Sequence, residues 1–199
     1  MTNFRHDILD ELEAIQVVSI DLKGGFKDTE SKVWTASSLA AELSFQASHV
    51  QYSLICLRGK KDEIGPLPGV DKGIDDEIAD VLFNIMNVAN FLGFSVANLW
   101  YPTRFVKPRV SFPSWDGLLI LSANLAIQAG NLWDATFRMD GYKHKVLKAE
   151  ENKQYMELAL SGVLENLLYL ADAVGVDAPE AFYKMFQDAR GFLNDYKTK

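Results

Sequence analysis

The sequence predicts an all-α fold, a helical bundle, on three observations. Apolar residues recur three, four or seven positions apart, which is the spacing of one helix face. A hydrophobic content of 48% over 199 residues is enough for a continuous core. Part of the chain also repeats weakly at a constant offset of 82 positions. The matching pairs are Leu39 and Leu121, Gln46 and Gln128, Asn84 and Asn166, and Gly93 and Gly175.

Residues that cap helices mark where the first predicted helices begin. Thr35 or Ser37 precedes an apolar series at helical spacing, Asp75 or Asp76 precedes a second, and Ser95 precedes a third. The stretch from 118 to 133 is too short and too polar to span a bilayer, which takes about 20 apolar residues. It is typical of a buried helix.

The last predicted helix begins at Asp177 and runs to about Asp195. Glu180 follows Asp177 by three residues, an arrangement that resembles a capping box with aspartate as the cap. Two loops rich in Gly and Pro, 59–73 and 101–114, separate the predicted helices. The second loop divides the chain into an N-terminal repeat, 1–105, and a C-terminal repeat, 106–199, which we expect to pack together as a pseudo-dimer.

The composition excludes some partners. A net charge of −7 and a pI near 5.0 argue against non-specific binding to nucleic acid or to a membrane surface, both of which rely on clustered basic charge. A single cysteine, Cys56, excludes an intrachain disulfide. Residues 1–13 lack the apolar centre of a signal peptide, so we expect a cytoplasmic protein.

The most informative residues are acids on the second predicted helix. Glu77, Asp80, Asn84 and Asn87 are three, four and three positions apart and share one stripe, while apolar residues cover most of the remaining circumference. A buried ionised carboxylate is costly unless it is paired or bound to a metal. Together with Glu42 on the preceding helix, these oxygen ligands favour Mg²⁺ or Mn²⁺. The alternative for Glu77 and Asp80 is an acidic first turn that favours the helix dipole.

These residues resemble the MazG-like, all-α NTP pyrophosphatases, a superfamily that includes dimeric dUTPases and dCTP pyrophosphatases. The resemblance lies in Leu39-Ala40-Ala41-Glu42-Leu43, a Gly/Pro-containing loop, and 76–82 running on to Leu92-Gly93. It covers about 35–100 well and 118–183 as a degenerate copy. The family motif, Glu-x-x-Glu followed by Glu-x-x-Asp, holds Mg²⁺ for hydrolysis of a nucleoside triphosphate to the monophosphate and pyrophosphate.

The resemblance implies that Glu42, Glu77 and Asp80 are metal ligands and catalytic residues. Phe45 stands where the family has its second glutamate, so one of the four ligands is missing. The loss predicts weaker metal affinity or fewer bound ions. In the second repeat Asn124, Ala159 and Gly162 replace the three acids.

Five further residues are candidates for substrate binding, each beside a structural alternative. Asn84 is expected to donate to a phosphate oxygen or to make a structural hydrogen bond. Lys60 and Lys61 are expected to close over the triphosphate or to be solvated loop residues. Trp34 and Tyr52 are expected to stack on the base or to belong to the core.

The sequence therefore predicts a Mg²⁺-dependent nucleoside triphosphate pyrophosphohydrolase with one surviving site. The alternative is a catalytically impaired descendant that binds a nucleotide or a partner protein through the old cleft. Base and sugar preference are not predicted, and the formation of a homodimer by the fused chain is left open.

Overall fold

A computed structural model describes residues 4–30, 34–59, 73–100, 114–141 and 148–197, and every regular element in these ranges is an α-helix. The helices are α1 (Phe4–Glu30), α2 (Ala36–Leu57), α3 (Ile74–Leu92), α4 (Val96–Leu99), α5 (Trp115–Met139), α6 (Ala149–Val174) and α7 (Ala178–Lys197). The predicted all-α fold is confirmed. Most of loop 59–73 and of loop 101–114 lies outside the described residues.

Side-chain caps fix the start of several helices. Thr35 and Ser38 form a reciprocal capping box at the start of α2, because the Ser38 N–H donates to Thr35 Oγ1 at 3.1 Å and the Thr35 N–H donates to Ser38 Oγ at 2.8 Å. Asp177 Oδ1 accepts from the Glu180 N–H at 2.9 Å at the start of α7. Both caps were predicted. The start of α3 is earlier than predicted, at Ile74, so the acids that follow fill its first turn.

Four long helices form the centre of the bundle. Helix α2 packs against α3 and α5, and α6 packs against α5 and α3, so each central helix has two central neighbours. Their buried faces share one apolar core, to which Leu43, Leu82, Leu125 and Leu164 each contribute a fully buried side chain. Helices α1 and α7 pack on α3 and on each other. The acid-bearing helix α3 is therefore covered on several sides.

Local geometry recurs at the offset of 82 positions. Gly93 ends α3 with φ 71° and Gly175 ends α6 with φ 77°, a left-handed conformation that favours glycine. Asn84 Nδ2 donates to the Asp80 carbonyl at 2.9 Å, and Asn166 Nδ2 donates to the Gly162 carbonyl at 2.7 Å. These matches agree with a tandem origin, while the division at 105/106 and the pseudo-dimer stay predictions.

Gln16 on α1 holds the end of α3 in place through four hydrogen bonds. Its Nε2 donates to Asn90 Oδ1 at 3.1 Å and to the Phe94 carbonyl at 2.7 Å, and its Oε1 accepts from the Val96 N–H at 2.8 Å. The backbone carbonyl of Gln16 accepts from Asn90 Nδ2 at 3.0 Å. One side chain thus joins α1 to the turn between α3 and α4.

In the part of the chain that the structure describes, no single helix has the length and apolar character needed to cross a membrane. Helices α6 and α7 meet that test only as a pair, and they are bent by 98° relative to each other.

Candidate functional site

The predicted acids lie on two helices that pack against each other. Glu77 and Asp80 are in the N-terminal turns of α3, and Glu42 is on α2. Glu77 is 2% exposed, whereas Asp80 and Glu42 are partly exposed. The site therefore has one deeply buried carboxylate and two closer to the surface.

The buried carboxylate contacts a histidine. His49 Nδ1 on α2 lies 3.4 Å from Glu77 Oε2, and the histidine is itself only 4% exposed. Burial lowers the pKa of His49, and the nearby charge of Glu42 raises it by a smaller amount. The imidazole is therefore predominantly neutral at pH 7. Because a carboxylate oxygen favours a proton on the nitrogen that faces it, the tautomer protonated at Nδ1 is favoured.

The second ring nitrogen of His49, Nε2, lacks a hydrogen-bond partner. Nε2 is buried and makes no hydrogen bond in the structure. The ring packs edge-on against Phe45, with 4.3 Å between ring centroids and an interplanar angle of 65°. Phe45 itself is 51% exposed, so the residue at the position of the missing glutamate covers the histidine and faces solvent.

Glu42 is held by its neighbour one turn along α2. Gln46 Nε2 donates to Glu42 Oε1 at 3.3 Å, near the long end of hydrogen-bond distances. The Gln46 Oε1 atom is buried and has no hydrogen-bond partner. Gln46, which contacts Glu42, and His49, which contacts Glu77, therefore each have a buried polar atom without a hydrogen-bond partner.

The donor set fits a divalent cation in its chemistry but is not assembled around one. Carboxylate and amide oxygens are ligands of Mg²⁺ and Mn²⁺, and unpartnered buried acceptors are what a cation would satisfy. As they stand, the described residues contain no group of three or more His, Cys, Asp or Glu side chains gathered closely enough to hold a metal ion. Glu42 contacts Gln46, and Glu77 contacts His49. The shared ion of Glu42, Glu77 and Asp80 stays a prediction.

The second half replaces the acidic site with packed side chains. A Cβ atom at Gly162, the position equivalent to Asp80, would lie 2.9 Å from Cγ of Gln128. Gln128 is equivalent to Gln46 at the offset of 82 positions. Ala159, equivalent to Glu77, is buried, and Asn124, equivalent to Glu42, is exposed.

The structure places the other predicted residues as follows. Asn84 is 6% exposed and uses its amide N–H₂ group in the bond to the Asp80 carbonyl, a bond that Asn166 repeats in the half without acids. Trp34 precedes α2 and has one ring face covered by Lys23, whose Nζ lies 3.4 Å from the ring centroid. Tyr52 is half-buried on α2. Lys60 and Lys61, and with them the predicted closing loop, lie outside the described residues.

Two residues at this site were not assigned a role from the sequence. His49 follows Glu42 by seven positions and lies on the same stripe of α2, so its position was predictable, but its burial against Glu77 was not. Gln46 follows Glu42 by four positions. Its copy at Gln128 in the acid-free half favoured a packing role.

A cavity of about 420 Å³ lies elsewhere, where α6 and α7 meet α1. The residues lining it include Glu11, Asp172 and Asp177, and none of its described lining residues is basic. That charge disfavours a triphosphate.

The chain matches no protein-family model, no curated protein and no solved structure. The MazG-like resemblance thus rests on the residues at the α2–α3 interface alone.

Proposed function

We propose that this chain is a metal-dependent nucleoside triphosphate pyrophosphohydrolase whose site lies between α2 and α3. The observation that carries the proposal is Glu77, a carboxylate 2% exposed, one turn from Asp80 and facing the helix that bears Glu42. An ionised group at this depth costs several kcal/mol unless other groups stabilise its charge, and a bound cation would add to the stabilisation that the contact with His49 provides.

The reaction consists of attack by water on the α-phosphorus. The water oxygen forms a new bond to that phosphorus, and the bond from phosphorus to the oxygen bridging to the β-phosphate breaks. Pyrophosphate leaves with the bridging oxygen. One water proton passes to a carboxylate among Glu42, Glu77 and Asp80. Bound Mg²⁺ or Mn²⁺ would neutralise phosphate charge and polarise the phosphoryl oxygens.

The chain's own residues prepare this step in distinct ways. Glu77 is shielded from water, so its charge acts more strongly on nearby groups than a surface carboxylate does. Glu42 and Asp80 lie nearer the surface, where a nucleotide enters. The cation would be held by these three carboxylates once Glu42 leaves Gln46, a contact of 3.3 Å whose release costs little.

Pyrophosphate release tests the proposal directly. The purified protein is incubated with each common ribo- and deoxyribonucleoside triphosphate in Mg²⁺ and in Mn²⁺, and pyrophosphate and monophosphate are measured together. Glu77→Gln and Asp80→Asn are expected to lower kcat/KM by on the order of 100-fold, the effect of removing a group that stabilises transition-state charge.

Asp75→Asn is the matched control. It removes a carboxylate from the first turn of the same helix, but Asp75 is a surface residue 3.5 Å from Lys184 Nζ. Its activity is expected to equal that of the unchanged protein. Equal losses in Asp75→Asn and Asp80→Asn, or no pyrophosphate from any nucleotide with either metal, would refute the proposal.

The second candidate function is a non-catalytic protein that binds a nucleotide or a partner protein through the same cleft. It is favoured by Phe45 in place of an acid and by the unassembled donor set. Phe45→Glu separates the two, because position 45 is half exposed and accepts a carboxylate without burying it. Activity gained only in Phe45→Glu, and not in Ile127→Glu at the equivalent position of the other half, would favour an impaired descendant.

A further inference from the structure

Beside the predicted acids lies a buried histidine, His49, a nitrogen donor that the four-carboxylate motif does not contain. His49 is more than nine-tenths buried, its Nε2 has no hydrogen-bond partner, and its Nδ1 lies 3.4 Å from Glu77 Oε2. Glu42 lies on the same helix seven positions earlier, and its charge acts on the imidazole. The histidine thus contacts one of the three predicted ligands and interacts electrostatically with a second.

This arrangement is the one in which histidines bind metals in proteins. A metal-binding imidazole commonly faces a carboxylate with one ring nitrogen, which fixes the tautomer and the ring orientation, and uses the lone pair of the other nitrogen as the ligand. The contact with Glu77 supplies the orienting carboxylate. The unpartnered Nε2 supplies the lone pair.

We propose that His49 Nε2 is a metal ligand, and that it makes the α2–α3 site select a first-row transition cation, with Mn²⁺ as its probe, over Mg²⁺. This inference rests on the proposed metal site and concerns which cation that site takes. Imidazole nitrogen binds transition ions far better than Mg²⁺, which prefers oxygen and gives up its water reluctantly. Glu42, Asp80 and the second carboxylate oxygen of Glu77 would remain as oxygen ligands, while Glu77 Oε2 orients the histidine.

The proposal also accounts for Phe45. The missing glutamate would have contributed an oxygen at position 45, which is half exposed. His49 contributes a nitrogen one turn further along α2, at a buried position. Phe45 packs edge-on against the ring, with 4.3 Å between the ring centroids, and restricts its rotation. A carboxylate ligand is thereby exchanged for a nitrogen ligand on the same helix face.

The experiment measures Mn²⁺ and Mg²⁺ binding without nucleotide. Mn²⁺ dissociation constants come from the EPR signal of the free ion, and Mg²⁺ constants from its competition with Mn²⁺. The unchanged protein is expected to bind Mn²⁺ at least about tenfold more tightly than Mg²⁺. His49→Gln is expected to weaken Mn²⁺ binding by about 10- to 100-fold and to change Mg²⁺ binding much less. Asn131→Ala, at the equivalent position of the acid-free half, is the control and is expected to change neither constant.

Pulsed EPR of the bound Mn²⁺ gives a readout that a structural role of His49 would not move. A directly bound imidazole nitrogen produces ¹⁴N modulation, which is expected in the unchanged protein and absent in His49→Gln. If His49→Gln fails to fold, the spectrum of the unchanged protein still decides the matter, because a spectrum without ¹⁴N coupling overturns the proposal. Equal affinities for the two metals, or tighter Mn²⁺ binding in His49→Gln, also overturn it.

Failure here is distinguishable from failure of the proposed hydrolase. Nitrogen-coupled Mn²⁺ in a protein that hydrolyses no nucleotide would uphold the ligand and refute the activity. Metal-dependent hydrolysis in a protein whose preference for Mn²⁺ over Mg²⁺ is unchanged by His49→Gln would uphold the activity and refute the ligand.

Discussion

Glu165 is a buried acid on α6 whose ionisation should make the stability of the fold depend on pH. The residue is 8% exposed, and burial raises its pKa from 4.5 to about 7, against a smaller opposing effect from its hydrogen bond with Tyr169. The equivalent position in the other half holds Phe83, which packs against the core. We therefore predict that Glu165→Gln stabilises the protein at high pH and has little effect at low pH.

The magnitude follows from the two pKa values. In the unfolded chain Glu165 loses its proton near pH 4.5, but in the folded protein it keeps the proton up to about pH 7. Between these values the folded state binds more protons, so the free energy of unfolding falls as the pH rises. One pKa unit corresponds to about 1.4 kcal/mol, so the cost of Glu165 reaches about 3 kcal/mol above pH 7. Glutamine, which does not ionise, avoids this cost.

Urea unfolding of both proteins at several pH values between 4.5 and 8 measures the effect. The difference in free energy of unfolding between Glu165→Gln and the unchanged protein is expected to grow from near zero at pH 4.5 to about 3 kcal/mol at pH 8. Glu151→Gln, exposed in the first turn of the same helix, controls for removal of a carboxylate. A difference that stays constant across the pH range would refute the reasoning.

Three further predictions concern packing and helix ends. Gln16→Ala removes three side-chain hydrogen bonds and should lower the free energy of unfolding by about 2 kcal/mol in urea titrations; a loss below about 0.5 kcal/mol would contradict it. Gly162→Ala places a Cβ 2.9 Å from Gln128 and should cost about 1–3 kcal/mol, less the gain in helix propensity. In the double variant that also carries Gln128→Ala, the part of this loss that is caused by the steric clash should disappear. If the free-energy changes of the two single variants add up strictly to that of the double variant, the clash is excluded. Gly93→Ala and Gly175→Ala should each lower the free energy of unfolding by about 1 kcal/mol, because both glycines have positive φ. The loss is measured as a fall in the midpoint of thermal unfolding. A large effect at only one of the two positions would show that the two helix ends differ.

The sequence predicts the helices better than it predicts the site. Caps such as Thr35 and Asp177 act within one turn, so local chemistry reveals them. The helix predicted at 118–133 lies within α5, but it is buried on one face only, since Ile120 and Ile127 are more than half exposed. No start was identified for α1, because no capping residue was recognised ahead of its mixed charged and apolar residues. Helix α3 begins at Ile74 after Gly73, a cap without a side chain and therefore without a clear signal.

At the site, residue type and helical spacing identify which acids share a face but not what each one touches. Glu77, Asp80 and Glu42 were predictable from stripes on two helices. The contact between His49 and Glu77 depends on the relative rotation and depth of α2 and α3, which neighbouring helices set. The structure shows the hydrogen bond from Asn84 to the Asp80 carbonyl, one of the two predicted alternatives, while a contact of Asn84 with a phosphate oxygen stays a prediction.

The four hydrogen bonds of Gln16 also limit how the site can move. Sliding one packed helix past another proceeds in steps of about one turn, 5.4 Å, and such a step of α3 would break its bonds to Asn90, Phe94 and Val96 at once. Movement of α3 along its own axis is therefore opposed at the end that carries Asn90, away from the acids of its first turns. Helix α1, which carries none of the acids, thus fixes the axial position of the helix that carries Glu77 and Asp80.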